Sequence, residues 1–242
     1  MKLNKTFQAG ADLIHQTIYA QAGSIEKGYL EYIMNAVDAG ATRIDINMDF
    51  NGSTYEIIDN GNGFGSHDMS WEEKEKVIEL LFGQLGFYHG TKEENHRTYG
   101  KFGIGRAQMW AFSKNSWHTH NVKMNVDILN NGLNYEMEKS DEFFDGCKIQ
   151  GEFYEQLTPN EVNNIKKQLA NLAAYAPIDV YFNGTKINRS IEDIKNQFNV
   201  EGVRIELKPS SSLKVYNQGV FVREYSNFYF GTGGLTVSKI ST

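Results

Sequence analysis

Three short motifs, met in one order, constrain this chain of 242 residues more than anything else in it. Glu31-Tyr32-Ile33-Met34-Asn35-Ala36-Val37-Asp38-Ala39 comes first. Asp59-Asn60-Gly61-Asn62-Gly63-Phe64-Gly65 is second, and Tyr99-Gly100-Lys101-Phe102-Gly103-Ile104-Gly105-Arg106 is third. The first falls inside a helical pattern. The spacing predicts a helix over residues 24–39, with Ser24 as N-cap and Gly40 where a glycine ends a helix. Ile25, Leu30, Ile33, Met34 and Val37 share a broad apolar side. Glu31, Asn35 and Asp38, at i, i+4 and i+7, lie on the opposite side within roughly 60° of one another, at about 100° per residue. Such a helix packs one face and offers a compact polar stripe on the other.

The second motif ends a strand. Arg43 to Phe50 alternates, Ile44, Ile46 and Met48 against Asp45, Asn47 and Asp49, as a half-buried strand does. Asn51-Gly52 is a hairpin turn signal. The partner strand, Thr54 to Ile58, runs into Asp59 and leaves that acid where the chain changes direction. Residues 71–82 read as helical. Residues 83–101 lack periodicity, hold Gly83, Gly86, Gly90 and Gly100, and read as a mobile loop or lid. A helix is expected from Ile104 to Phe112, opening directly after the third motif's glycines. Strands with turns follow from Trp117 to Gln150, the clearest turn being Asn130-Asn131-Gly132. Then come a helix over about 160–175 capped by Thr158 or Asn160, a strand from Ile178 to Phe182, and a turn at Asn183-Gly184. A composition shift near 198–203 divides the chain into residues 1–200 and 201–242. Leu213–Tyr216 and Gly219–Arg223 are strand-like pieces of a second, β-rich unit that the chain only begins.

Each motif has a chemistry. A base for hydrolysis must reach a water aimed at a γ-phosphorus, a task a carboxylate such as Glu31 performs. One turn on, Asn35 offers a neutral oxygen. Magnesium on a triphosphate keeps several waters and takes one or two protein oxygens, so an amide suits it. Asp59 can accept the exocyclic amino group of adenine. Guanine presents a carbonyl there, and an unpaired buried acceptor costs about 1–3 kcal/mol. Gly61, Gly63 and Gly65 let the backbone approach a flat base. Gly100, Gly103 and Gly105 precede a helix, where free N–H groups attract anions, and Lys101 and Arg106 add positive charge. The third motif is neither a P-loop nor a dinucleotide fingerprint. Order, spacing and chemistry converge on ATP.

These residues resemble a known family. The Glu31, Asn35, Asp38-Ala39 helix looks like the N-box of the GHKL superfamily, the Bergerat-fold ATPases that include gyrase B, the heat-shock chaperone of the same fold, the histidine kinases and MutL. Asp59 to Gly63 resembles its adenine box, Gly100 to Gly105 its phosphate box, and Gly90-Thr91-Lys92 a stretch of its lid. Motifs cover roughly residues 10–150, and Ala176 to Lys186 resembles the domain's last strands. The resemblance implies an α/β, two-layer α+β sandwich: a mixed sheet with helices on one face and ATP between helices and lid. It makes Glu31 the general base, Asn35 the magnesium ligand and Asp38 a supporting acid. Asp59 would hold adenine, with Gly61 and Gly63 beside the base. Thr91, Lys92, Gly100, Lys101, Phe102, Gly103, Ile104 and Gly105 would take the phosphates. Where members often carry Gly-Thr on a late strand, to reinforce a water at the adenine acid, this chain has Gly146-Cys147, and a thiol is a poorer partner. Residues 203–242 weakly resemble the start of the domain that follows in gyrase B and MutL, with Lys239 the candidate for its phosphate-reaching lysine.

The expected function is magnesium-dependent ATP binding and hydrolysis, with lid closure coupled to conformation or homodimerisation. The alternative is an ATP-gated binding module that barely hydrolyses and acts through a partner or a C-terminal region. A phosphotransfer enzyme is disfavoured, because His15-Gln16 is not a phosphoacceptor motif. A net charge of −6, with Lys and Arg scattered, argues against nucleic acid as this segment's main partner. No apolar run approaches the roughly 18 residues of a membrane span. A single cysteine, Cys147, excludes an internal disulfide framework and fits a reducing cytoplasm. His118 and His120 share a strand without an evident third metal ligand.

Overall fold

The computed structural model describes residues 11–49, 51–65, 68–85, 105–190, 197–200, 203–207, 212–217, 219–226 and 235–239. The chain opens with helix α1 (Ala11–Ala22), which polar residues around it concealed in the sequence, and α2 (Ile25–Asp38). Ser24 stands at the α2 N-cap without a side-chain capping bond. At the other end the Gly40 and Ala41 N–H groups donate back to the carbonyls of Val37 and Ala36, closing the last turn. Strands β1 (Arg43–Met48) and β2 (Thr54–Asp59) then form the expected antiparallel hairpin.

Helix α3 (Trp71–Ile78) starts with a reciprocal capping box between Ser70 and Glu73 and runs on as a π-helical turn, Glu79–Gly83. The helix expected over 104–112 is a 3-10 helix, Gly105–Ala111. Two long strands follow, β3 (Ser113–Val126) and β4 (Tyr135–Phe153), joined through the short helix α4 (Ile128–Asn131) and Gly132. Helix α5 (Pro159–Leu172) carries its own capping box, from Thr158 to Glu161. Strands β5 (Asp179–Phe182) and β6 (Thr185–Lys186) turn about Asn183-Gly184.

These strands make one mixed sheet in the order β3-β4-β2-β1-β5-β6, antiparallel except for the β1–β5 pair. Alternation decides its faces. Ile44, Ile46 and Met48 of β1 and Tyr55 and Ile57 of β2 point into a core shared with Ile33 of α2 and Val162, Ile165 and Leu169 of α5. Helices therefore cover one face, the two-layer arrangement expected. No helix among the described residues is long and apolar enough to cross a membrane.

A second sheet follows: β7 (Gln197–Val200), β8 (Val203–Leu207), β9 (Ser212–Asn217), β10 (Val220–Ser226) and β11 (Leu235–Lys239), in the order β10-β9-β11-β8-β7. It meets the first unit at the turn after α5. There the Tyr175 N–H donates to the Gly219 carbonyl (3.1 Å), and the Tyr175 ring meets Tyr216 edge-on at 4.8 Å. Val220 joins the main core.

Candidate functional site

The hairpin delivers Asp59. In β2, Tyr55, Ile57 and Asp59 share the core-facing side, so the acid is carried inward by the same alternation that buries its apolar neighbours; it is 8% exposed. Its cross-strand partner on β4 is Cys147, also buried. Burial pushes the Asp59 carboxyl up to about 6, against the pull of backbone hydrogen bonds from Gly61 and Cys147. The Gly61 N–H donates to Oδ1 at 2.8 Å. Burial, with Asp59 beside it, drives the Cys147 thiol well above its ordinary range.

The loop after Asp59 is fastened on three sides. Asn60 Oδ1 accepts from the N–H groups of Thr42 (2.9 Å) and Arg43 (3.0 Å). The Asn62 N–H donates to the Ala39 carbonyl at the end of α2 (2.9 Å). Thr119 Oγ1, fully buried on β3, accepts from the Phe64 N–H (3.2 Å) and donates to the Gly146 carbonyl (2.9 Å). Gly63 lies between these anchors with φ +62°, and any Cβ there would collide with Thr119 Oγ1. Asn60 and Thr119 are site-building residues that sequence reading did not single out.

The polar stripe of α2 faces this loop. Glu31 and Asn35 are half-buried and Asp38 is exposed. Burial first, and the charge of Asp38 second, raise the Glu31 carboxyl to about 7. Its Oε2 lies against Gly105, the first residue of the 3-10 helix, so closely that a Cβ at 105 would overlap it. The last glycine of the third motif and the first acid of the first motif are thus packed together.

Asn35, Asp38, Asp59, Gly63 and Cys147 line one cavity of about 360 Å³. Other residues complete it: Tyr32, Ala36, Ala39, Phe64 and Arg106 from within the three motifs, and Ile44, Ile57, Leu81, Trp117 and Ile149 from outside them. Phe64 and Trp117 pack around buried Phe82, with ring centroids 5.8 and 5.3 Å from it. Among the apolar liners, Ile44 was visible as one side of an alternating strand, and Tyr32, Ala36, Ala39 and Phe64 only as motif residues without a role of their own. Arg106 was visible as a charge after the glycines. Among the predicted site residues, Thr91, Lys92, Gly100, Lys101, Phe102, Gly103 and Ile104 lie outside the described residues. Lys239 ends β11, and its side chain lies outside the description too.

A larger cavity, about 790 Å³, lies across the sheet face turned away from the helices, among Asn47, Glu56, Ser116 and Gln150. No motif residue lines it. His118 and His120 are buried: His118 Nε2 sits 3.1 Å from the Glu142 carbonyl oxygen, and His120 stacks on Phe143. No group of three or more His, Cys, Asp or Glu able to hold a metal occurs among the described residues. A donor set of one amide beside carboxylates suits a cation that arrives with its own phosphate ligands.

A family model, "Histidine kinase-, DNA gyrase B-, and HSP90-like ATPase", matches residues 22–169. No curated protein matches the sequence. Among solved structures, the chain is similar to the ATPase region of topoisomerase II from Saccharomyces cerevisiae, with TM-score 0.61, 13% identity, and 88% of this chain and 72% of that one covered. It is also similar to the ATPase and transducer domains of DNA topoisomerase II from Balamuthia mandrillaris, with TM-score 0.58, 18% identity, and 81% and 60% covered. At these identities the likeness is one of fold.

Proposed function

The chain belongs to the histidine kinase-, DNA gyrase B- and HSP90-like ATPase family, and from that premise we propose that it binds ATP with magnesium and hydrolyses it. The observation that carries this reading is the convergence of Asn35, Asp38, Asp59, Gly63 and Cys147 on one cavity, with Glu31 packed on Gly105 at its side. In this reading the ionised Asp59 accepts the adenine amino group, and the fastened loop at Gly61 and Gly63 lies along the base. Asn35 would hold the magnesium, whose charge offsets that of the phosphates, and Asp38 supports that end of the site.

Glu31 takes the proton of the attacking water. A base works best when its pKa lies near the working pH, and a carboxyl raised to about 7 suits that task at neutrality. Thr91, Lys92 and the glycine segment Gly100 to Gly105 bind the phosphates. Closure of residues 83–105 over them couples nucleotide state to shape and to pairing with a second copy. Residues 201–242 belong to a second, transducer-like unit that receives this change, and the lone buried thiol suits a cytoplasmic setting.

Steady-state ATP hydrolysis with magnesium, over a range of protein concentrations and beside Glu31→Ala, tests the reading. The expected result is turnover that rises with concentration and disappears in the variant. Turnover retained in Glu31→Ala would remove Glu31 as the base. Binding of ATP by both proteins with turnover in neither would favour a gated module that does not hydrolyse.

A further inference from the structure

Whatever aims the Asp59 carboxyl decides how well this site tells one base from another. Two backbone N–H groups reach that carboxyl, one from Gly61 at 2.8 Å and one from Cys147. The first belongs to the same loop. The second comes from β4, and its direction depends on the peptide unit that joins Cys147 to Gly146. That unit is trans, so its carbonyl and its N–H point opposite ways, and fixing one fixes the other. The strand ladder does not fix it. Cys147 pairs with Thr119 of β3, but the next pair is Phe144 with His120, which leaves Asp145 and Gly146 in a bulge without ladder partners. Gly146 has φ +99°, and a Cβ there would collide with the Asp59 backbone carbonyl. Thr119 supplies the partner that the ladder withholds. Its side chain is fully buried, and Oγ1 donates to the Gly146 carbonyl (2.9 Å) while accepting from the Phe64 N–H (3.2 Å). One chain of hydrogen bonds therefore runs from the Phe64 N–H through the Thr119 hydroxyl to the Gly146 carbonyl, and across that peptide from the Cys147 N–H to Asp59.

We propose that Thr119 is a positioning residue for base recognition: its hydroxyl holds the Gly146-Cys147 peptide so that the Cys147 N–H aims the Asp59 carboxylate, and it thereby sets the site's preference for a purine that carries an amino group. The inference rests on the ATP reading above and deepens it. Thr119 does not line the 360 Å³ cavity, so it acts through the peptide and not by touching the ligand. The Cys147 thiol is a weak hydrogen-bond partner, and the backbone of the same residue does the aiming instead. Bonds in such a chain polarise one another, so a change at either end is felt at the other. Because the chain is closed before ligand arrives, little reorganisation is needed on binding.

The test compares adenosine with purine riboside, which is adenosine without its amino group, by calorimetry on the full chain at pH 8, where Asp59 is ionised. The wild type is expected to favour adenosine about tenfold, the worth of one hydrogen bond to a charged acceptor. In Thr119→Val, which keeps the shape and removes the hydroxyl, that preference should fall to about twofold, and Thr119→Ser should restore it. A valine variant that merely loosened the fold would weaken both nucleosides alike. A preference unchanged in Thr119→Val, or one that Thr119→Ser fails to restore, would overturn the proposal. Should the valine variant not fold, the wild type answers alone. The two nucleosides differ only in the group that Asp59 accepts, so the buried Thr119 hydroxyl proton, followed by nuclear magnetic resonance, should shift differently with each. Equal shifts would overturn the assignment. Wild-type protein that binds both nucleosides equally would remove Asp59 as the reader of the base, and protein that binds neither would sink the ATP reading itself. Both outcomes are distinct from a preference that survives Thr119→Val.

Discussion

Ionised, the Asp59 carboxylate can accept from an adenine amino group; protonated, it loses that acceptor. Its pKa of about 6, against 3.8 for a free aspartate, comes from burial. The sign follows from the raised value. Between about 4 and 6 the folded protein holds a proton that the unfolded chain has released, so the ligand-free fold loses stability as pH rises through that window. Adenosine affinity moves the other way: it is full above pH 6 and declines as pH falls through 6. Calorimetric titration of adenosine from pH 5 to 8 checks this, because the nucleoside carries no phosphate to titrate. A flat profile would remove Asp59 as the base-reading acid. Asp59 was legible in the sequence because an Asp-Asn-Gly run closed the second strand of a hairpin marked by Asn51-Gly52. Thr119, which fastens the same loop, was not. Its hydroxyl bonds Phe64, 55 positions away, and Gly146, 27 away, and no local pattern encodes such partners.

Among elements, α2 could be read almost to the residue, because apolar period, cap and terminal glycine agree. The segment after the glycines was read as a helix, and its 3-10 form was hidden, since seven residues are too few to separate a period of 3.0 from one of 3.6. What sets it is packing. The 3-10 helix lies tight on α2 at Gly28, where a Cβ would come within 2.5 Å of Met109 Sδ and 2.6 Å of Cγ. Two effects therefore oppose each other in Gly28→Ala. Helix propensity favours alanine by about 1 kcal/mol, and overpacking costs about 1–3 kcal/mol. The collision should win and lower stability. In a Met109→Ala background the collision is gone, and the same change should stabilise by about 1 kcal/mol. Denaturant unfolding of the four proteins reads the coupling. Additive effects would mean that this close approach does not set the register of the two helices.

At the scale of the whole molecule, two strands of the second sheet, β9 and β10, could be anticipated, yet β7, β8, β11 and the order of all five could not. β9 pairs directly and in parallel with β11, although β10 lies between them in the sequence, a choice made by packing at long range. The same holds for the junction. Tyr216 reads as one more strand aromatic, but it is buried between Tyr175 of the first unit and Phe221 of β10. Neither Tyr175 nor Tyr216 lines the 360 Å³ cavity. Removing a buried aromatic ring costs about 3–5 kcal/mol in a closed core, and less where neighbours can collapse. Tyr216→Ala should therefore lower unfolding stability by about 3 kcal/mol while adenosine affinity stays within twofold of wild type. Chemical denaturation and calorimetry on the same preparation measure both. If stability falls and affinity holds, the second sheet is attached to a site that is complete without it. If affinity falls as well, the junction carries coupling between the sheets, and nucleotide binding would be expected to move the second sheet in return, because linkage is reciprocal.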